Sequence, residues 1–192
     1  SNDYWNILYY GRHMTLAQPE SLYNGFYPVG YAFLIGQMPF TYVLPLSYLL
    51  NALLSGLFIA SVSTLVAYTD SIPATIVAFY SSVAAPFVFQ NANTLSPDIG
   101  AAAFTAFAVF LLCRDWFDKE QKKIAVSQLI AAGVSLGLSF LWRTHAAVSI
   151  IAIFAGYVLL KGIRPFRPLL LLAGSLALIA GLQVIVNLIS GH

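Results

Sequence analysis

The stretch LSYLLNALLSGLFIASVSTLVAY, residues 46–68, runs for 23 positions without an Asp, Glu, Lys or Arg. A helix needs about 20 mainly apolar residues to cross the roughly 30 Å hydrocarbon core of a bilayer. Leu46–Tyr68 meets that need, and five further runs follow it: Pro73–Gln90, Pro97–Cys113, Ile124–Trp142, His145–Leu160 and Pro168–Ile189. Pro97–Cys113 and His145–Leu160 are the shortest and borrow a turn from their flanks. Helices are the expected form, because an open strand edge finds no hydrogen-bond partner in lipid. The sequence therefore predicts an all-α, polytopic transmembrane bundle with about six spans over residues 46–192, preceded by an external interfacial helical region over residues 1–45.

Composition points the same way. Of 192 residues, 59% are apolar and 8% are charged. A soluble domain carries about 25% charge, so a soluble globular protein is excluded. Disorder is excluded as well, because disordered chains are poor in apolar residues. Nine Lys+Arg against seven Asp+Glu leave no basic footprint for a nucleic acid. Cys113 stands alone, so no disulfide within the chain and no cysteine metal cage can form. Gly133 and Gly137, four apart, have the small-residue spacing that lets helices approach closely; incidental membrane glycine is the plain alternative.

Ahead of the first span, Tyr4–Leu16 is mixed and aromatic, and the apolar Gly25–Met38 is bracketed by Pro28 and Pro39. The segment between those prolines is too short to cross. The expectation for Tyr4–Met38 is one or two interfacial helices with a shallow or re-entrant piece, their tyrosines and tryptophan in the headgroup layer. The opening residues from Ser1 do not read as a signal peptide, and Gly191-His192 follows directly on an apolar run. Both ends read as cut.

The few charges sort by side. Arg114, Lys119, Lys122 and Lys123 lie in one loop, and Lys161, Arg164 and Arg167 in another; together they are seven of the nine basic residues. The positive-inside rule places both loops in the cytoplasm. Residues 1–45, the turn 91–98, the turn 143–145 and His192 then fall on the outer face, with Asp3, Arg12, Glu20, Asp98, Arg143 and the three histidines. An ionisable group at the end of an apolar run is costly and is a functional candidate by default.

Asp98 follows Ser96-Pro97 at the start of a run, where helix-start chemistry is its plain role. As a functional group it joins Asp3 as a paired carboxylate able to deprotonate an acceptor or to hold a divalent cation, Mg or Mn. Arg143 and His145, with Arg12 and His13 nearby in type, suit an anionic phosphate; snorkelling anchors are the alternative. Tyr27 and Tyr31 flank the rigid Tyr-Pro-Val-Gly turn and are candidates to line a lipid entry, or belong to the interfacial aromatic belt. Cys113, Asn51, Gln183 and Asn187 are expected to serve packing or interhelical hydrogen bonds. There is no Walker loop, dinucleotide glycine motif, HExxH or GxSxG.

The ordered set Asp3-Tyr4, Asn24–Tyr31, Leu49–Ser55, Asn93–Asp98 and Phe140–Thr144 resembles the N-terminal half of a GT-C-type membrane glycosyltransferase, of the protein mannosyltransferase and aminoarabinose transferase group. The resemblance implies a sugar moved from a polyprenyl-phosphate donor to an acceptor on the outer face of an integral membrane protein, the bacterial inner membrane with a periplasmic site being the expected setting. It matches Asp3 to the later part of an acidic first-loop motif, whose earlier acid would precede Ser1. It matches Asp98 to a second external acid, Arg143 to a basic residue at the lipid phosphate, and Tyr27–Gly30 to a Tyr-Pro-x-Gly turn. The family's first helix and C-terminal half have no counterpart in these residues. The second expectation, from another class, is a non-catalytic transmembrane subunit with a GT-C-like scaffold, packed among other membrane subunits.

Overall fold

A computed structural model describes residues 2–14, 29–68, 71–86, 88, 90, 95–113, 125–161 and 166–189. Among them the chain is helical throughout, without a strand. The helices are α1 (Asn2–His13), α2 (Val29–Gly36), a 3-10 turn (Phe40–Tyr42) leading into α3 (Val43–Ala67), α4 (Ile72–Ala84), α5 (Asp98–Cys113), α6 (Val126–Trp142), α7 (Ala146–Lys161) and α8 (Phe166–Ile189).

Two of these helical stretches are long and apolar enough to cross a membrane, Phe40–Ala67 with 28 residues and Phe166–Ile189 with 24. The other four expected spans are apolar helices of 10 to 17 residues. At 1.5 Å per residue these reach at most about 26 Å, short of the roughly 30 Å core. Among the described residues, the six-span expectation is thus met by length at two positions. The second expected span shows the difference most clearly, because α4 ends at Ala84 rather than Gln90.

Local chemistry sets the helix ends. Ser71 caps α4, its Oγ accepting the Ala74 amide at 3.3 Å, with Pro73 in the first turn where its missing N–H costs nothing. Gln128 reaches back to accept the Ala125 amide at 3.0 Å and closes the start of α6. Hydroxyls inside the apolar helices turn on their own backbone: Ser55 donates to the Asn51 carbonyl, Ser61 to Leu57, Thr64 to Ala60 and Ser135 to Ala131, each at 2.7 to 2.8 Å. This back-bonding satisfies a polar group without a partner helix.

Packing runs along a row, α4 on α3, α3 on α5, α5 on α6 and α6 on α8, with α7 leaning on α5 and α6. The central helix α6 buries Leu129, Ala132, Gly133, Leu136, Gly137 and Trp142 among others. Gly133 faces Ser175 and the Leu172 carbonyl, and Gly137 faces Ile179, so that a Cβ at either would collide with α8. Their spacing therefore marks a close α6–α8 approach. Ser139 staples α6 to α5, donating to the Ala101 carbonyl at 2.9 Å and meeting Thr105 Oγ1 at 2.8 Å.

The N-terminal helices close one end of this row. At α1 and α2, Gly11 lies directly on Ala32 and Gly36, and α2 touches α6. Eight residues of α2 span about 12 Å and cannot cross. Its first amide, Val29 N–H, donates to Gln183 Oε1 of α8 at 3.1 Å, and Gln183 in turn donates to Asn187. Gln183 thus supplies the acceptor that an exposed helix start would otherwise take from water. Tyr4 of α1 meets Ser47 of α3 at 2.9 Å, and burial raises its phenol above the ordinary range, keeping it neutral.

Candidate functional site

The site is built on the turn before α5. Leu95 is held at φ 54°, the left-handed region that a branched apolar side chain rarely occupies, and it is buried. Its carbonyl accepts the Tyr31 hydroxyl at 2.9 Å, which ties α2 to this turn. Ser96 Oγ then accepts the Asp98 amide at 3.2 Å and donates to Asp98 Oδ2 at 2.8 Å. The Pro97 carbonyl accepts from Gly100 and Ala101 and starts the helix. Asp98 therefore sits in the first turn of α5, where a carboxylate also gains from the helix dipole.

The partner comes from the end of α6. Trp142 turns inward, close to the Tyr31 and Phe104 rings and flat against Gly100, where any Cβ would strike the indole. Arg143 leaves the helix in extended conformation, φ −155° and ψ 116°, its amide still bonded to the Ser139 carbonyl at 3.0 Å. Its Nε lies 2.6 Å from Asp98 Oδ1, with the two side chains 37% and 33% exposed. A pair this open to solvent contributes about 0.2–1 kcal/mol, so its value is geometric rather than stabilising. The contact is made through Nε, the guanidinium nitrogen next to the side-chain stem.

Beside this pair lies an open groove of about 420 Å³, between α3 and α7 with α5 as its floor. The floor is Ala101, Ala102, Thr105 and Ala106, which recur one helical turn apart; Phe58 stands on one side, and Ala146 and Ser149 on the other. Asp98 and His145 stand at its head. The result is an open, mainly apolar groove with one carboxylate and one imidazole at its head, the Arg143 guanidinium standing behind the carboxylate it pairs with.

The structure brings Asp98, Arg143 and His145 together and leaves the other candidates elsewhere or outside view. Arg12 donates to the Met38 carbonyl at 2.9 Å and lies over the Phe40 ring at 5.2 Å, so it braces α1 against the start of α3. Tyr31 is 1% exposed and lines no lipid entry; it holds the Leu95 turn instead. Asp3 falls in the first turn of α1, but its side chain lies outside the described part, as does Tyr27 entirely. No group of three His, Cys, Asp or Glu residues suited to a metal ion occurs among the described residues. With a guanidinium already on Oδ1, the surroundings of Asp98 do not fit a divalent cation.

No family model, curated protein or solved structure matches this chain. The GT-C resemblance therefore rests on the residues of the sequence alone.

Sequence reasoning left out Gly100, the Thr105–Ser139 pair and the alanine floor. The alanines carried a readable signal, small residues at 101, 102, 105 and 106 on one face of an apolar helix. Gly100 carried none, because its role depends on Trp142, 42 residues away.

Proposed function

We propose that this chain belongs to a polytopic membrane glycosyltransferase of the GT-C type, which moves a sugar from a polyprenyl-phosphate donor to an acceptor at the outer membrane face. The observation that carries the reading is the meeting of Asp98, Arg143 and His145 at the head of an alanine-floored groove. The apolar floor suits a lipid chain, and a phosphate at its end would meet Arg143 and His145.

Lipid surroundings are supported by the outer faces of the helices. Leu53 on α3, Ile72 on α4, Leu159 on α7 and Leu178 on α8 are all exposed, Leu159 at 85%. Apolar surface on this scale marks contact with a membrane or with protein. In a six-span arrangement the basic loops 114–123 and 161–167 lie in the cytoplasm, and the start of α5 and the end of α6 share the opposite face.

In the reaction, an acceptor oxygen attacks the anomeric carbon, and the bond from that carbon to the phosphate oxygen breaks. Arg143 and His145 stabilise the departing phosphate, whose charge grows as the bond opens. The acceptor proton passes to a carboxylate, Asp3 in this reading, since Arg143 and Ser96 already hold the two oxygens of Asp98. The full-length protein, given a polyprenyl-phosphate-linked sugar and an acceptor, is expected to lose transfer on Asp98→Asn and on Arg143→Gln while its melting temperature holds. Full activity in both variants would refute the enzymatic reading.

A further inference from the structure

Asp98 has a geometry that speaks to its role. One of its oxygens is held by the Ser96 hydroxyl at 2.8 Å and the other by Arg143 Nε at 2.6 Å. Its backbone amide is fixed by the same Ser96 oxygen at 3.2 Å. The carboxylate is thus tied to the turn of α5 at one oxygen and grips the guanidinium at the other. Arg143 is fixed at its other end too, through its amide to the Ser139 carbonyl, and Ser139 is itself stapled to α5 through the Ala101 carbonyl.

Contact at Nε engages the side of the guanidinium next to the side-chain stem, whereas its outer edge carries the two terminal nitrogens as parallel donors. That edge is the fork that matches two oxygens of a phosphate. A long Arg side chain otherwise gives up rotamer freedom when it is held in one place. Here the carboxylate has done the holding beforehand.

Resting on the lipid-phosphate reading above, we infer that Asp98 is a positioning residue: it aims the Arg143 fork, with His145 beside it, at a phosphate monoester or diester on a lipid chain. Simple electrostatics and positioning then predict opposite signs for one substitution. Asp98→Asn removes a negative charge next to the anion, which by charge alone tightens binding. It also loosens the grip on Nε, which weakens binding.

The test uses full-length protein in nanodiscs, with farnesyl monophosphate, inorganic phosphate and uncharged farnesol as probes in a calorimetric or fluorescence titration. Farnesyl phosphate is expected to bind the wild type, and farnesol to bind far more weakly. Asp98→Asn is expected to weaken farnesyl phosphate by about tenfold, which corresponds to 1.4 kcal/mol. Ser96→Ala, a milder change that keeps the charge, should weaken it in the same direction by less. In an Arg143→Lys background, where no Nε grip exists, Asp98→Asn should bring no further loss.

Equal or tighter binding in Asp98→Asn, at unchanged melting temperature, overturns the inference while the functional reading stands. If Asp98→Asn does not fold, unchanged affinity in Ser96→Ala overturns it equally. Absence of farnesyl phosphate binding to the wild type defeats the functional reading, and the inference with it. Inorganic phosphate binding as tightly as farnesyl phosphate would keep the fork and remove the groove from the argument.

Discussion

Adding one carbon at Gly100 tests the packing that sets the site. A Cβ there would lie within bonding-shell distance of the Trp142 ring, against the indole nitrogen and its neighbouring carbon. Ordinary carbon contacts sit near 3.5–4.0 Å, so the ring must move by about an ångström. It has nowhere easy to go: Phe104 stands edge-on at 5.2 Å and Tyr31 at 6.0 Å, with Trp142 buried between them. Overpacking of this kind costs about 1–3 kcal/mol. Alanine recovers about 0.5–1 kcal/mol of helix propensity over glycine, so a net loss of about 1–2 kcal/mol is expected for Gly100→Ala. Gly56→Ala in α3 is the matched control, because its Cβ would meet nothing within 4 Å. It keeps the propensity gain without the clash, which sets the two variants about 1–3 kcal/mol apart. Thermal or denaturant unfolding of both proteins in the same detergent, followed by tryptophan fluorescence, measures the difference. Variants within about 0.5 kcal/mol of each other would show that the Trp142–Gly100 contact does not constrain the fold.

Two other substitutions probe different links. Gln183→Leu keeps volume on α8 but removes the acceptor of the Val29 amide at 3.1 Å; an orphaned buried donor costs about 1–3 kcal/mol. Amide exchange across α2 should then quicken while α3 is unchanged, and equal exchange in both proteins would refute the role given to Gln183. Ala106→Leu places bulk in the open groove, so it should leave the unfolding free energy within about 1 kcal/mol of wild type yet weaken farnesyl phosphate binding several-fold. Undiminished binding in a folded Ala106→Leu protein would mean that the lipid chain lies elsewhere.

Much of the site was legible one residue at a time. Asp98 and Arg143 stood out because a charge at the end of an apolar run is expensive, and expense is a local property. Their pairing was not legible, since 45 residues separate them and nothing in either segment names the other. Arg12 shows the converse. As a basic residue among aromatics it looked like a phosphate ligand, and only the position of α1 over Phe40 gave it the Met38 carbonyl and the ring instead. Tyr31 looked like an interfacial aromatic for the same reason, until α2 was placed beneath the Leu95 turn.

By itself, the sequence determined the class: an all-helical chain with long apolar runs poor in charge, its basic residues gathered in two loops. Hydropathy and capping are read along the chain, so they need no knowledge of neighbours in space. Tertiary structure decided where the helices break, with two of spanning length among the described residues. It also decided which side chains converge. Those outcomes turn on how closely and at what rotation the helices meet. Close approach at Gly133, Gly137 and Gly100, the Ser139 staple and the Gln183 bond to α2 set that rotation. Each is a contact between distant segments, and its energy exists only once both are in place.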